Sequence, residues 1–313
     1  MSNPAGLTRD HVIWAYRLLL DRDPEDEQAI QKKVQGLASV RDLRAELVSS
    51  AEYRDKNPDF AHSNERNLVI KDLDGIRLVV DLSDHAIGLN IIRGRYEQNE
   101  LAFAKSVVRP GDHVLDCGAH IGLFAMHLAS WVGPRGSVTA FEPFPDNADC
   151  LARSIGENRF EDRVVLEQAA VGQADGTLNL VFAAETRNKG GAFIETAATR
   201  VPPRHERMPV RVFALDTYPL RRPVRFMKLD VEGAEPHVIR GASRMIKDDR
   251  PVILSELHLT QIPAVCNVTA DAYVEQMRSH AYRCFTLDGN GKPGSELRGL
   301  PDSEVTSVVF LPS

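Results

Sequence analysis

Carboxylates stand beside glycines where apolar runs of this chain end. The first such place is Val114-Leu-Asp-Cys-Gly-Ala-His-Ile-Gly122. A buried strand is expected to end at Asp116, Gly118 to open a tight turn, and Gly122 to begin a helix whose first N–H groups lack intrahelical partners. The dinucleotide fingerprint G-x-G-x-x-G fails at Ala119, and no Gly-Lys-Ser/Thr of a phosphate-cradling loop occurs. An acid ahead of the glycines repels a pyrophosphate but favours a cation or an ammonium group. That charge logic points to S-adenosylmethionine, which carries a sulfonium and an amino group. Twenty residues beyond Gly122, Glu142 closes a second apolar run in Ala140-Phe-Glu-Pro143. An acid there accepts hydrogen bonds from the ribose hydroxyls of a nucleoside.

A third cluster, Phe226-Met-Lys-Leu-Asp-Val-Glu-Gly-Ala-Glu235, crowds Asp230, Glu232 and Glu235 into the turn after another strand. Leu254-Ser-Glu-Leu-His258 then places Glu256 and His258 two residues apart, on one side of a strand end. Such groups can accept a proton from a hydroxyl nucleophile, or hold a divalent cation that acidifies it. Glu232 and Glu235 also suit a helix N-terminus on charge grounds alone.

The elements that must position these residues follow from periodicity. β-rich runs at His113–Cys117, Ser137–Glu142, Val164–Ala170, Val224–Asp230, Pro251–Leu257, Tyr282–Leu287 and Val305–Leu311 are mostly separated by amphipathic segments such as Leu101–Val108 and Phe124–Trp131. Strands alternating with helices predict an α/β fold with a doubly wound, mostly parallel sheet over residues 101–313. Residues 176–212 interrupt the alternation with two strand-like runs, Leu178–Phe182 and Val210–Phe213, around a Gly/Arg/Pro-rich loop. An insertion near the active edge is suited to substrate selection. There Asn188-Lys-Gly-Gly191, Arg187, Arg200, Arg204 and Arg207 could meet an anionic or hydroxyl-rich acceptor, or simply be solvated.

Residues 61–100 read as a polar linker and a hairpin, with Leu68, Ile70, Ile76, Leu78 and Val80 alternating around Asp74-Gly75. Residues 1–60 predict a small helical domain. One helix starts behind Thr8 with Val12, Tyr16, Leu19 and Leu20 on one face, and ends at Arg22-Asp23-Pro24. A second carries Ile30, Val34 and Leu37. A third follows a Ser39/Asp42 capping box and buries Leu43, Leu47 and Val48. Ser49 and Glu52 begin a last turn, which Lys56-Asn57-Pro58 closes.

The chain has 313 residues, with 38 Lys plus Arg against 44 Asp plus Glu and a net charge of −6. This balance argues against a nucleic-acid partner, which needs a concentrated basic face. No run reaches the roughly 18 apolar residues of a membrane span, and MSNPAGLTRDHV carries no secretory signal pattern. Cys117, Cys150, Cys266 and Cys284 form no CxxC pair and no zinc spacing. Free thiols in a reducing, cytoplasmic setting are expected.

Asp116-x-Gly-Ala-x-x-Gly122, Phe141-Glu-Pro143, Ala170-Val-Gly172, Lys228-Leu-Asp-Val-Glu-Gly-Ala-Glu235 and Glu256 together resemble the FkbM family of S-adenosylmethionine-dependent methyltransferases, over roughly residues 90–288. The resemblance implies a class I, Rossmann-like methyltransferase fold and methyl transfer to hydroxyls of sugars, polyketides and similar products. It implies that Asp116, Gly118, Ala119, His120 and Gly122 line the methionine end of the cofactor, with Glu142 and Pro143 at the ribose and Ala169 nearby. Tyr96-Glu97 matches a family pattern near the cofactor, and Asp230, Glu232 and Glu256 fall at the substrate edge. His120 departs from the family, where Asn is usual. Ala15-Tyr-Arg-Leu-Leu-Leu-Asp-Arg-Asp-Pro24 and Ser50-Ala-Glu-Tyr-Arg54 resemble a helical domain found beside glycan-modifying enzymes. These features lead us to expect an O-methyltransferase of a sugar, glycan or glycosylated metabolite, with Asp230, Glu256 and His258 as proton acceptors. The alternatives are a Mg²⁺-assisted methyltransferase of a polyketide or phenolic hydroxyl, and a non-catalytic cofactor-fold protein. A homo-oligomer or a protein partner on the N-terminal helices is compatible with all three.

Overall fold

The computed structural model describes residues 7–37, 39–48, 50–56, 66–82, 84, 87–94, 96–183 and 190–313; for residues 41, 45, 48, 51, 54, 55 and 89 it describes the backbone alone. The chain divides into two units, Met1–Arg66 and Asn67–Ser313.

The smaller unit has four helices, α1 (Arg9–Leu20), α2 (Glu27–Gly36), α3 (Val40–Val48) and α4 (Ala51–Lys56). Thr8 caps α1 by accepting the His11 amide at 3.3 Å, and the His11 ring accepts the Thr8 amide at 3.1 Å. Asp26 caps α2 through the Ala29 amide at 2.8 Å. Val12, Tyr16, Leu20, Ile30, Leu43 and Leu47 form the core between them. Ser39 makes half of the expected box: its hydroxyl accepts the Asp42 amide but donates to the Asp42 carboxylate, so the acid does not reach back to the backbone. The last turn is opened by Ser50, which accepts the Tyr53 amide at 3.1 Å. Ser49, the Val48 side chain, Asn57, Pro58 and the linker to residue 65 lie outside the described residues.

In the larger unit, β1 (Leu68–Leu73) and β2 (Ile76–Asp81) form the hairpin expected around Asp74-Gly75. Both turn residues have positive φ, 50° and 85°, as a two-residue hairpin that follows strand twist requires. β2 packs on the helix Pro145–Asn158, with the Val79 amide donating to Ser154 Oγ at 2.9 Å.

Fourteen strands occur among the described residues. After the hairpin come β3 (His113–Cys117), β4 (Ser137–Phe141), β5 (Val164–Glu167), β6 (Ala170–Val171), β7 (Gly176–Ala183), β8 (Phe193–Ile194), β9 (His205–Phe213), β10 (Val224–Leu229), β11 (Val252–His258), β12 (Tyr282–Leu287), β13 (Pro293–Glu296) and β14 (Val305–Pro312). The main sheet has the order β13-β12-β14-β11-β10-β3-β4-β5. Strands β5, β4, β3, β10 and β11 are parallel, and β14 runs antiparallel between β11 and β12. This is the doubly wound, mostly parallel arrangement expected. The strand order reverses at β3/β10, the switch point at which open α/β sheets bind ligands.

Alternation divides these strands between two cores. Val114, Phe226 and Leu254 face one core with the helices Gln98–Val107, Leu123–Val132 and Pro145–Asn158. Leu115, Met227 and Ile253 face the other, with the helices Glu235–Gly241, Ser243–Asp249, Gln261–Cys266 and Ala270–Ser279.

Two expectations need correction. The run Val164–Ala170 is not one strand: it stops at Glu167, and Ala170–Val171 pairs with β9 in a second sheet. The insertion forms that second sheet, ordered β6-β9-β7-β8, with β7 and β9 longer than the apolar runs suggested. Exposed residues such as Thr177 and Arg211 pair across the ladder, and backbone hydrogen bonding extends strands where hydrophobicity gives no signal.

Phe226 is fully buried on the central strand. Phe226→Ala is expected to cost about 3–5 kcal/mol of unfolding free energy, measured by urea denaturation.

Candidate active site

The ends of β3 and β10 are knitted together tightly enough to dictate the residue at position 118. The Asp230 amide donates to the Cys117 carbonyl at 3.0 Å. Gly118 has φ +82°, and a Cβ on it would lie 1.7 Å from the Asp230 carbonyl oxygen. The Gly118 and Ala119 amides both donate to the Phe141 carbonyl, at 3.0 and 2.9 Å, fixing the turn against β4. Gly122 caps the following helix at φ +94° and sits against Leu151.

A cavity with an empty volume of about 880 Å³, partly open to solvent, lies at these strand ends. Gly118, Ala119, His120, Glu142, Pro143, Glu97, Asp230 and Glu232 all line it. Leu180, Ala192 and Ile194 of the insertion supply an apolar wall. Asp116, Gly122 and Ala169 do not border the cavity. Asp116 is wholly buried, and Ala169 is buried directly before Ala170 and Val171, which do line it. Glu256 borders a smaller cleft together with Glu97, Glu100, Lys228, Asp230 and Ser307. His258 borders neither. Its Nδ1 accepts the Gln261 amide at 3.2 Å and lies 3.4 Å from the Thr260 hydroxyl, so the ring holds the turn after β11 instead of joining Glu256.

Glu142 is clasped by donors from three directions. Oε2 accepts the His120 amide at 2.8 Å, while Oε1 accepts the Phe144 amide at 2.8 Å and the Asn147 side chain at 3.4 Å. Glu235 works on its own turn: Oε1 accepts the Val231 and Gly233 amides at 3.0 and 3.3 Å. Glu97, His120 and Glu232 each adopt left-handed backbone, with φ of 48°, 51° and 54°, a conformation costly for non-glycine residues and frequent at functional sites.

A family model for the methyltransferase FkbM domain matches residues 116–284, more than half of the chain. The chain belongs to the FkbM methyltransferase family. It is 24% identical over 144 residues to "Methyltransferase 1" of Beauveria bassiana (strain ARSEF 2860), a match covering 41% of this chain and 57% of that protein. The chain thus spans little more than half the length of this curated relative. Among solved structures it is similar to the FkbM methyltransferase of Methylobacillus flagellatus KT, with 15% identity, TM-score 0.42, and 95% of this chain and 58% of that chain covered. It is also similar to Aeropyrum pernix fibrillarin in complex with natively bound S-adenosyl-L-methionine, with 14% identity, TM-score 0.39, and 79% and 84% covered.

Sequence reasoning gave no role to one residue inside the FkbM-like string. Lys228 is 7% exposed, and its ammonium donates to Asp230 Oδ2 at 2.8 Å, lies 3.6 Å from Glu97 Oε1 and sits 4.8 Å above the Phe124 ring. The available signal was a lone lysine in the otherwise apolar run Phe226–Leu229. Asn147 and the apolar residues of the insertion carried no comparable signal. Among the described residues, no group of three or more histidine, cysteine, aspartate or glutamate side chains is arranged to hold a metal ion.

Burial dominates the electrostatics of this FkbM site. It pushes the Asp116 carboxyl up to about 6, Glu97 and Glu142 to about 7, Glu256 to about 8 and Glu232 to about 9; Lys228 counteracts this at Glu97, Asp116 and Glu256, and neighbouring acids reinforce it. It lowers His120 to about 4, leaving a neutral imidazole.

An acid whose folded pKa is raised stabilises the fold fully below its unfolded value and loses that contribution as pH rises through the folded value. The ligand-free protein should therefore show a Tm that falls as pH rises from about 4.5 to 9, the contributions of Glu97 and Glu142 being lost by about pH 7 and those of Glu256 and Glu232 by about pH 8 and 9. His120 opposes this trend only below its ordinary value of 6.5. Differential scanning calorimetry of wild type and Glu256→Gln checks it, with a shallower slope expected in the variant.

Proposed function

We propose that this chain is an S-adenosylmethionine-dependent O-methyltransferase acting on a hydroxyl of a sugar, glycan or glycosylated metabolite. The observation that carries this reading is the convergence of Gly118–His120, Glu142–Pro143 and Asp230–Glu232 on one cavity at the sheet's switch point. The residues fit the cofactor on charge as well as shape. Neither oxygen of buried Asp116 has a hydrogen-bond partner among the described residues, the Ala125 amide easing it only partly, so an ammonium group near the glycine turn would relieve a buried charge. Glu142, held rigidly by backbone donors, keeps lone pairs for ribose hydroxyls. The Leu180, Ala192 and Ile194 wall supplies apolar surface on the opposite side.

The bound cofactor supplies a methyl group already activated by its sulfonium. The protein must therefore align an acceptor oxygen and remove its proton, and alignment alone lowers a barrier by several kcal/mol. Glu97, Asp230 and Glu232 in the main cavity offer polar partners for the several hydroxyls of a sugar. Acidic groups so placed, with the one nearby ammonium of Lys228 already paired to Asp230, disfavour an anionic acceptor. The insertion's Arg207 is already paired with Glu195 at 3.0 Å, and Arg187 lies outside the described residues. His258 has no part in this reading because it borders neither cavity.

Calorimetry with S-adenosylhomocysteine tests the cofactor half. Wild type should bind, and Glu142→Ala should weaken binding about 10- to 100-fold, the worth of hydrogen bonds to a charged group. Absent binding to wild type, or unchanged affinity in the variant, would refute it. The acceptor half is tested by transfer of a radiolabelled methyl group to a panel of sugars, glycans, phenols and amines. The expected product is a sugar methyl ether, and methylation confined to amines or phenols would overturn the assignment.

A further inference from the structure

Lys228 stands in the wall shared by the two cavities, as do Glu97 and Asp230. Among the described residues lining either cavity, it is the one lysine or arginine. Its register partners are Asp116 on β3 and Leu254 on β11. Alternation sends its side chain to the same face as Asp116 and Glu256. The charged groups around Asp230 are Lys228, Glu97, Asp116, Glu232, Glu235 and Glu256. Only the first is positive. A buried ion pair contributes little net stability, since desolvation offsets the attraction. Its position beside the proposed reacting groups gives it another use.

We propose that Lys228 is a positioning residue for methyl transfer: its ammonium, 2.8 Å from Oδ2, holds the Asp230 carboxylate in place at the cavity wall, so that Asp230, not Glu232 or Glu256, takes the acceptor's proton. The inference rests on the transferase reading above and selects among its three carboxyls. In the step it describes, the acceptor oxygen forms a bond to the methyl carbon and the carbon–sulfur bond breaks. That electron pair stays on sulfur, which becomes a neutral thioether, and the hydroxyl proton passes to Asp230. Asp230 alone of the three carboxyls touches the ammonium, at 2.8 Å. Glu232 and Glu256 have no such contact, and burial holds both in the protonated form at neutral pH. They then serve as hydrogen-bond donors to acceptor oxygens. The Glu97 contact at 3.6 Å ties the segment before the helix Gln98–Val107 to the same ammonium.

Carboxyl-carbon NMR of the full chain labelled at Asp and Glu tests this without an acceptor, with Asp230→Asn, Glu232→Gln and Glu256→Gln assigning the resonances. At about pH 7 the wild type should show Glu232 and Glu256 protonated, and finding both ionised would overturn the proposal. Lys228→Met should displace the Asp230 carboxyl-carbon resonance from its wild-type position, because the ammonium contact at 2.8 Å is lost, and Lys228→Arg should restore it. An unmoved Asp230 resonance in folded Lys228→Met would also refute it. Failure of the wild type to bind S-adenosylhomocysteine would remove the cofactor reading while leaving these spectra to decide the role of Lys228.

Discussion

The Asp230 amide reaches the Cys117 carbonyl, and the Asp230 carbonyl occupies the space a side chain at position 118 would need. This backbone-to-backbone approach of β3 and β10 at the switch point is the constraint the rest of the site depends on. It requires glycine at 118, which lets the turn bend over to the Phe141 carbonyl and join β4 to the pair. With three parallel strands ending side by side, Asp116, Glu142 and Asp230 are gathered within one small region. A looser packing of β3 on β10 would leave room at residue 118 and separate these acids.

Gathering carboxylates in a buried place costs free energy, and the fold meets that cost locally. Glu142 accepts the Phe144 amide of its own turn and the His120 amide from the turn after β3, and Glu235 accepts two amides of its own turn through Oε1 while its Oε2 has no hydrogen-bond partner among the described residues. Asp230 and Glu97 share Lys228. Asp116 is eased only partly, by the Ala125 amide and the Lys228 charge. The result is a cavity floor poised to receive positive charge and, where burial raises carboxyl pKa values, able to exchange protons near neutral pH. Two walls of different character enclose it: acids and a lysine at the strand ends, and aliphatic side chains from the insertion sheet.

Much of this was legible in the residues because the signals are local. Glycine with an acid two residues ahead marks a strand end and a turn, and short β-rich runs set between amphipathic segments announce β3, β4, β10 and β11. Asp74-Gly75 specifies its hairpin through φ alone. Other features were not legible. Val164–Ala170 looks like one β-rich run, yet the chain leaves the main sheet after Glu167 to pair with β9, and nothing within seven residues shows a change of partner. His258 and Glu256 share a strand face, but the Gln261 amide, three residues on, draws the imidazole into the next turn.

By itself the sequence determined the alternating elements, the glycine turn, the acids at strand ends and the family they resemble, because each is written in residue type and short spacing. Only the tertiary structure decided which acids share a cavity, that the insertion makes a sheet whose aliphatic side chains form its wall, and that Lys228 stands between Glu97 and Asp230. Those outcomes depend on residues 131 positions apart in the chain, as Glu97 and Lys228 are. Their distance and shared desolvation exist only once the strands have stacked in order.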